Sequence, residues 1–171
     1  MMQRMQHHLA QVNVARLRAP IDSPELADFV AALDPVNALA DASPGFVWRL
    51  QTEDGDATAI RVFDDEMIAI NMSVWESLEH LTDFVYGPAH VEIMRRRREF
   101  FERMDEAFLA LWWVPAGHVP DTAEAKARLE ALRQDGPTPF AFTFRHSFPP
   151  PGGPGRPDLR PTVDDRWACP A

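Results

Sequence analysis

The 171-residue chain is poor in several things, and each shortage removes a class of function. Its one cysteine, Cys169, excludes a disulfide framework and cysteine-based zinc sites, and makes a cytoplasmic protein the expectation. Basic residues are outnumbered 17 to 26 by acidic ones, and the net charge of -9 argues against a general binder of nucleic-acid backbones. No apolar run approaches the ~18 residues of a membrane span, and the start, Met1 to His8, has no signal-peptide core. Phosphate-cradling Gly-x-x-x-x-Gly-Lys loops, Gly-x-Ser-x-Gly elbows and His-Glu-x-x-His pairs are all missing. What is present is ordinary globular material, 46% hydrophobic and 25% charged, with five tryptophans and 11 phenylalanines.

Proline and glycine collect at the C-terminal end, in Pro149-Pro150-Pro151-Gly152-Gly153-Pro154-Gly155, so residues 146–171 read as a disordered tail and residues 1–6 as a flexible start. Between them, residues 7–145 form one domain. Its hydrophobic period alternates between two and 3.6, which predicts strand, helix, strand, strand, helix, strand, then an extra helix and strand. Leu9 to Val14 is the first strand, with Leu9, Gln11 and Asn13 on one face. Ser23 supplies an N-cap and Pro24 the first position of a helix with Leu26, Phe29, Val30, Leu33, Val36, Asn37 and Ala40 in one stripe and a kink at Pro35. Further strands are expected over Phe46 to Gln51, Met67 to Trp75 and Phe108 to Val114, and a short one over Ala57 to Phe63. Ser77 caps a helix broken by Gly87-Pro88, a second helix runs from Pro88 toward Phe101, and Asp121 caps a third. Phe140, Phe142 and Phe144 alternate in a last strand.

This order is the ferredoxin-like α+β arrangement, an antiparallel sheet with helices on one face. The opposite face would then expose aromatic side chains, and two copies pairing their sheets would hide them, so a homodimer is expected. Arg95 to Arg98 lie among Glu92, Glu99, Glu102 and Glu106 and read as an ion-paired solvent face. The acidic stretch from Glu53 to Glu66 lacks calcium-loop spacing and reads as a surface loop.

The segment from Ser73 to Tyr86 followed by His90 resembles the dimeric α/β-barrel superfamily, which includes antibiotic-biosynthesis and haem-degrading monooxygenases. The runs Leu9 to Ala15, Pro44 to Leu50 and Leu111 to His118 are more similar to a bacterial domain-of-unknown-function family within it. The resemblance covers about Gln6 to Phe148. It implies an apolar pocket between sheet and helices that binds a small aromatic or polycyclic molecule, without nucleic acid or membrane as partner. As an enzyme, the chain would then be a cofactor-independent, monooxygenase-like catalyst with His90 as acid or base and Asn13 bonding a ligand oxygen, while Trp75, Trp48, Phe84 and Trp112 supply ligand-binding walls. An alternative implication is haem, with His90 as the axial iron ligand and no other metal. A third possibility is a non-catalytic dimeric interaction module. The residues themselves leave quieter roles open. His90 could satisfy backbone groups at the Gly87-Pro88 break, Asn13 could bond neighbouring backbone, and the tryptophans could fill core. Trp112 and Trp113, being adjacent on a strand, must face opposite ways.

Overall fold

A computed structural model describes residues 5–153; the expected tail beyond Gly153 and the first four residues lie outside them. Four strands form one antiparallel sheet in the order β2-β3-β1-β4, with β1 at His7–Arg16, β2 at Phe46–Arg49, β3 at Ile68–Trp75 and β4 at Leu109–Pro115. The connections are α1 (Ala27–Asp41), preceded by a single 3-10 turn at Pro24–Leu26, then α2 (Leu78–Val85), α3 (Pro88–Arg95) and α4 (Arg97–Phe100), and finally α5 (Thr122–Asp135). This is the ferredoxin-like α+β topology the periodicity predicted. Ser77 accepts the His80 N–H and Asp121 accepts the Glu124 N–H at 2.7 Å, so these two expected N-caps are formed, whereas Ser23, expected as the third, makes no side-chain cap bond to the 3-10 turn that follows it. Pro88 starts α3 at its first turn, where a missing N–H costs nothing. Pro35 sits within α1 on the exposed side, so the Ala31 carbonyl deprived of its partner points to water.

Strand alternation divides the side chains of the sheet between two cores. On one face Leu9, Gln11, Asn13 and Ala15 of β1 lie beside Trp75, Ser73, Asn71 and Ala69 of β3, beneath α1, α2 and α3. On the other, Val12, Val14, Ile70, Met72, Val74 and Trp112 pack under Ala125, Leu129 and Leu132 of α5, with Leu50, Ile60, Val62 and Phe63 closing the margin. Within a single chain Met72 and Trp112 are completely buried, and Val12, Val14 and Ile70 nearly so. The premise of the expected dimer therefore fails, because α5 and the loop before β3 already cover the second face.

Three further expectations need correction. No strand forms over Ala57 to Phe63; those residues are turns whose apolar side chains lean on the second core. The C-terminal strand shrinks to one bridge, Leu111 with Phe142, which exchange both backbone hydrogen bonds at 2.8 Å. The helix from Pro88 toward Phe101 divides at Arg96. Arg95 pairs with Glu92, and Arg96 with Glu99 and Asp28, so these two arginines form the ion-paired face anticipated.

Candidate functional site

Between the helix-bearing sheet face and α1, α2 and α3 lies a cavity of about 60 Å³. Its floor is polar: Gln11 and Asn13 from β1, Asn71 and Ser73 from β3. Its roof is mainly apolar, from Phe29, Leu33 and Val36 on α1, Leu81, Phe84 and Val85 on α2, and Ile93 on α3, with Phe144 from the C-terminal segment, and Asn37 of α1 adds one amide. The register produces this floor directly, since Gln11 stands opposite Ser73 and Asn13 opposite Asn71. Four polar side chains alternating with buried apolar ones thus meet on one patch of sheet.

These side chains bind one another. Gln11 Nε2 donates to Asn71 Oδ1 at 2.6 Å and to Ser73 Oγ at 2.9 Å, and Gln11 Oε1 accepts from Asn13 Nδ2 at 3.1 Å. Trp75 Nε1 also donates to Ser73 Oγ, at 2.9 Å. Asn13 Oδ1 is buried with no hydrogen-bond partner among the described residues, a costly state that marks a place for something to bind.

His90 is 1% exposed and lines the same cavity. Its Nδ1 lies 2.8 Å from the Val85 carbonyl at the end of α2. A carbonyl only accepts, so Nδ1 carries the hydrogen and Nε2 the lone pair. Burial pushes its pKa down to about 4, the bond to Val85 opposing this in part. The imidazole is therefore neutral at pH 7. One nitrogen plays the quiet backbone role considered for it, and the other is left for chemistry.

Of the residues named from sequence, His90, Asn13 and Phe84 line the cavity. Trp75 stands one layer back, stacked on Phe84 at 5.1 Å and edge-on to Phe46 at 5.4 Å. Trp48 and Trp112 do not belong here. Trp112 packs under α5 and donates its Nε1–H to Glu124 at 2.9 Å, on the far side of the sheet. Trp48 joins it there because of a bulge in β2, which sets Phe46 opposite Trp75 but Trp48 opposite Val74, so two residues of equal parity face opposite ways. The same bulge turns Arg49 toward Ser73 and the cavity, where Asp41 holds Nε at 2.8 Å and the Gly55 carbonyl holds one terminal nitrogen at 2.6 Å. Gln11, Asn71 and Ser73 were also missed. Their signal was polar residues alternating inside otherwise apolar strands.

Haem does not fit this site. An apolar cavity of about 150 Å³ is the scale that admits a single benzene ring, so a porphyrin exceeds the 60 Å³ here many times over, and Phe84 lies 5.1 Å from the His90 ring. Among the described residues no cluster of three or more His, Cys, Asp or Glu could hold a metal ion, and no helix is long and apolar enough to cross a membrane.

Fold and site together define a ferredoxin-like α+β protein with a small internal pocket, polar below and apolar above. The chain belongs to the family described as Domain of unknown function (DUF3291), which matches residues 8–156. Among solved structures it is similar to PA3566 from Pseudomonas aeruginosa, at 11% identity and TM-score 0.45 over 68% of this chain and 100% of that one. It is similar also to SnoaB, a cofactor-independent oxygenase from Streptomyces nogalater, at 17% identity and TM-score 0.43 over 67% and 98%. NE2512, a protein of unknown function from Nitrosomonas europaea, matches at 15% identity and TM-score 0.41 over 69% and 99%. No curated protein matches the sequence.

Proposed function

We propose that this chain binds a small molecule in the cavity beneath α1, α2 and α3, with Asn13 and His90 as its polar contacts. The observation that carries the reading is one unpartnered asparagine oxygen and one neutral imidazole, both buried, on the wall of the same cavity. His8 Nδ1 and Ser23 Oγ are also buried without a partner, but of the three only Asn13 faces the cavity, where an entering molecule can meet it.

The catalytic part of the proposal is narrower. With Nδ1–H fixed on Val85, Nε2 is the atom that accepts a proton, and it is in the accepting form throughout the neutral range. A base with a pKa of about 4 is weak, so Nε2 serves first as a hydrogen-bond acceptor for a ligand O–H or N–H, and full proton transfer is confined to ligand hydrogens of comparable acidity. Polycyclic ligands, expected from sequence, require the Phe84 and Phe144 side chains to move outward, since 60 Å³ does not admit them.

The test is a fragment screen by ligand-observed NMR on the wild type and on cavity-filling variants, Ala32→Leu and Leu33→Phe, with folding checked by circular dichroism. Fragments that bind the wild type should be lost from a folded filled variant. Binding unchanged by filling, or no binding at all, refutes the reading.

A further inference from the structure

The hydrogen bonds of the pocket floor run in one direction, and that direction specifies a ligand. An indole N–H can only donate, so Ser73 Oγ accepts from Trp75 Nε1 at 2.9 Å. Gln11 spends both amide hydrogens, on Asn71 Oδ1 at 2.6 Å and Ser73 Oγ at 2.9 Å, and its oxygen accepts from Asn13 Nδ2 at 3.1 Å. In this arrangement each amide oxygen accepts and each amide nitrogen donates. The chain terminates at Asn13 Oδ1, 3% exposed as a residue and without a partner among the described residues. His90, its Nδ1–H on the Val85 carbonyl, adds a second lone pair at Nε2. The free acceptors of the floor and of His90 are therefore Asn13 Oδ1 and His90 Nε2, while the Ser73 hydroxyl, which accepts twice, still has its own hydrogen to give, and the Asn71 Nδ2 and Asn37 amides add further donors on the lining.

Charge narrows the choice. No acidic side chain lines the cavity, and its one cationic side chain, Arg49, is occupied by Asp41 and the Gly55 carbonyl. A carboxylate entering would bring lone pairs against Asn13 Oδ1 and His90 Nε2 and lose its hydration beside a guanidinium already paired with Asp41. A molecule lacking N–H or O–H would leave Asn13 unmatched. Size limits the choice too, for 60 Å³ exceeds what a single water needs but falls short of a ring.

We propose that the pocket is selective for small uncharged molecules that both donate and accept hydrogen bonds, the class of primary amides, and discriminates against carboxylates and against isosteres without a donor. The proposal rests on the preceding reading of this cavity as a ligand site. A primary amide offers N–H to Asn13 Oδ1 and His90 Nε2, and its carbonyl accepts from Ser73.

Acetamide, acetone and acetate have four heavy atoms each and nearly one shape, so they separate donor, no donor and negative charge without changing size. Titration of the full chain with each at pH 7, followed by ¹⁵N shifts of the His90 ring and the Asn13 amide, reads the site directly. Acetamide is expected to saturate in the millimolar range set by so few atoms, at least tenfold more tightly than acetone or acetate. Asn13→Leu, if folded, should lose at least tenfold for acetamide and little for acetone. The wild-type comparison stands alone if that variant does not fold. Equal binding of the three, or preference for acetate or acetone, overturns the amide class and leaves a ligand pocket in place. No shift with any of them overturns the class and the pocket reading together.

Discussion

Acidification should cost this protein stability over a window set by His90. The ring is buried, and its pKa falls from 6.5 to about 4 on folding. A group whose neutral form is favoured by the fold binds more protons when unfolded, so stability rises with pH across the interval between the two values. The contribution is complete above about pH 6.5, is lost as pH falls toward about 4, and is constant below that. The 2.5-unit difference corresponds to about 3 kcal/mol, of which roughly 2.5 kcal/mol has gone by about pH 4.5. Two exposed carboxylates with lowered values also lose stability in acid. Asp65 is held chiefly by the Met67 N–H, and Glu99 chiefly by its hydrogen bond with Arg96, but their windows start at the ordinary carboxylate range and extend downward. Urea unfolding of the wild type and of His90→Gln between about pH 7.5 and 4.5 therefore isolates the histidine, since glutamine can still donate to Val85 but does not titrate. The wild type should lose about 2 kcal/mol more than the variant. Equal losses, or a His90 titration observed by NMR near 6.5, would refute the assignment of a dry, neutral ring.

Trp112→Phe removes the Nε1–H bond to Glu124 under α5, so it should cost about 1 kcal/mol in urea unfolding while leaving fragment binding unchanged. A loss of binding would place Trp112 back on the pocket. Gly45 has φ +76°, and a Cβ there would lie 2.2 Å from the His80 ring, so Gly45→Ala should cost more than ~1 kcal/mol and lower the melting temperature. A neutral outcome would mean the turn before β2 is looser than described. Phe142 is fully buried and pairs with Leu111, so Phe142→Ala should destabilise by ~3–5 kcal/mol and raise proteolysis after residue 136.

Legibility from sequence followed the range of the interactions involved. Caps and breaks are local, and Ser77, Asp121 and Gly87-Pro88 were placed correctly because each acts within four residues of itself. Topology followed from the alternation of periods. His90 and Asn13 stood out as polar residues in apolar surroundings, and both line the cavity. What failed was non-local. The β2 bulge reverses the facing of Trp48 and Arg49, and nothing in Phe46-Val47-Trp48-Arg49 announces it. The helical stripe of α5 was read, but not the side of the sheet it covers, and so a second subunit was assigned a surface that Leu129 and Leu132 bury. Gln11 was placed on the correct face, yet its importance lies in contacts 60 and 62 residues away.

The division of the sheet explains why chemistry can reside on one face only. Under α5 the strands present aliphatic side chains with Trp112, and that face closes like an ordinary core. Under α1, α2 and α3 the central strands present two amides opposite an amide and a hydroxyl, a patch that cannot be packed against leucine without stranding polar atoms. The helices above it span the patch instead of filling it, and the broken turn at Gly87-Pro88 brings His90 back to the Val85 carbonyl and over the gap. A sequence selected for stability alone would replace Gln11, Asn13, Asn71 and Ser73 with apolar residues and close the cavity. Four mutually bonded polar groups with the Asn13 oxygen unmatched are a local conflict with folding, of the kind the proposed ligand would relieve.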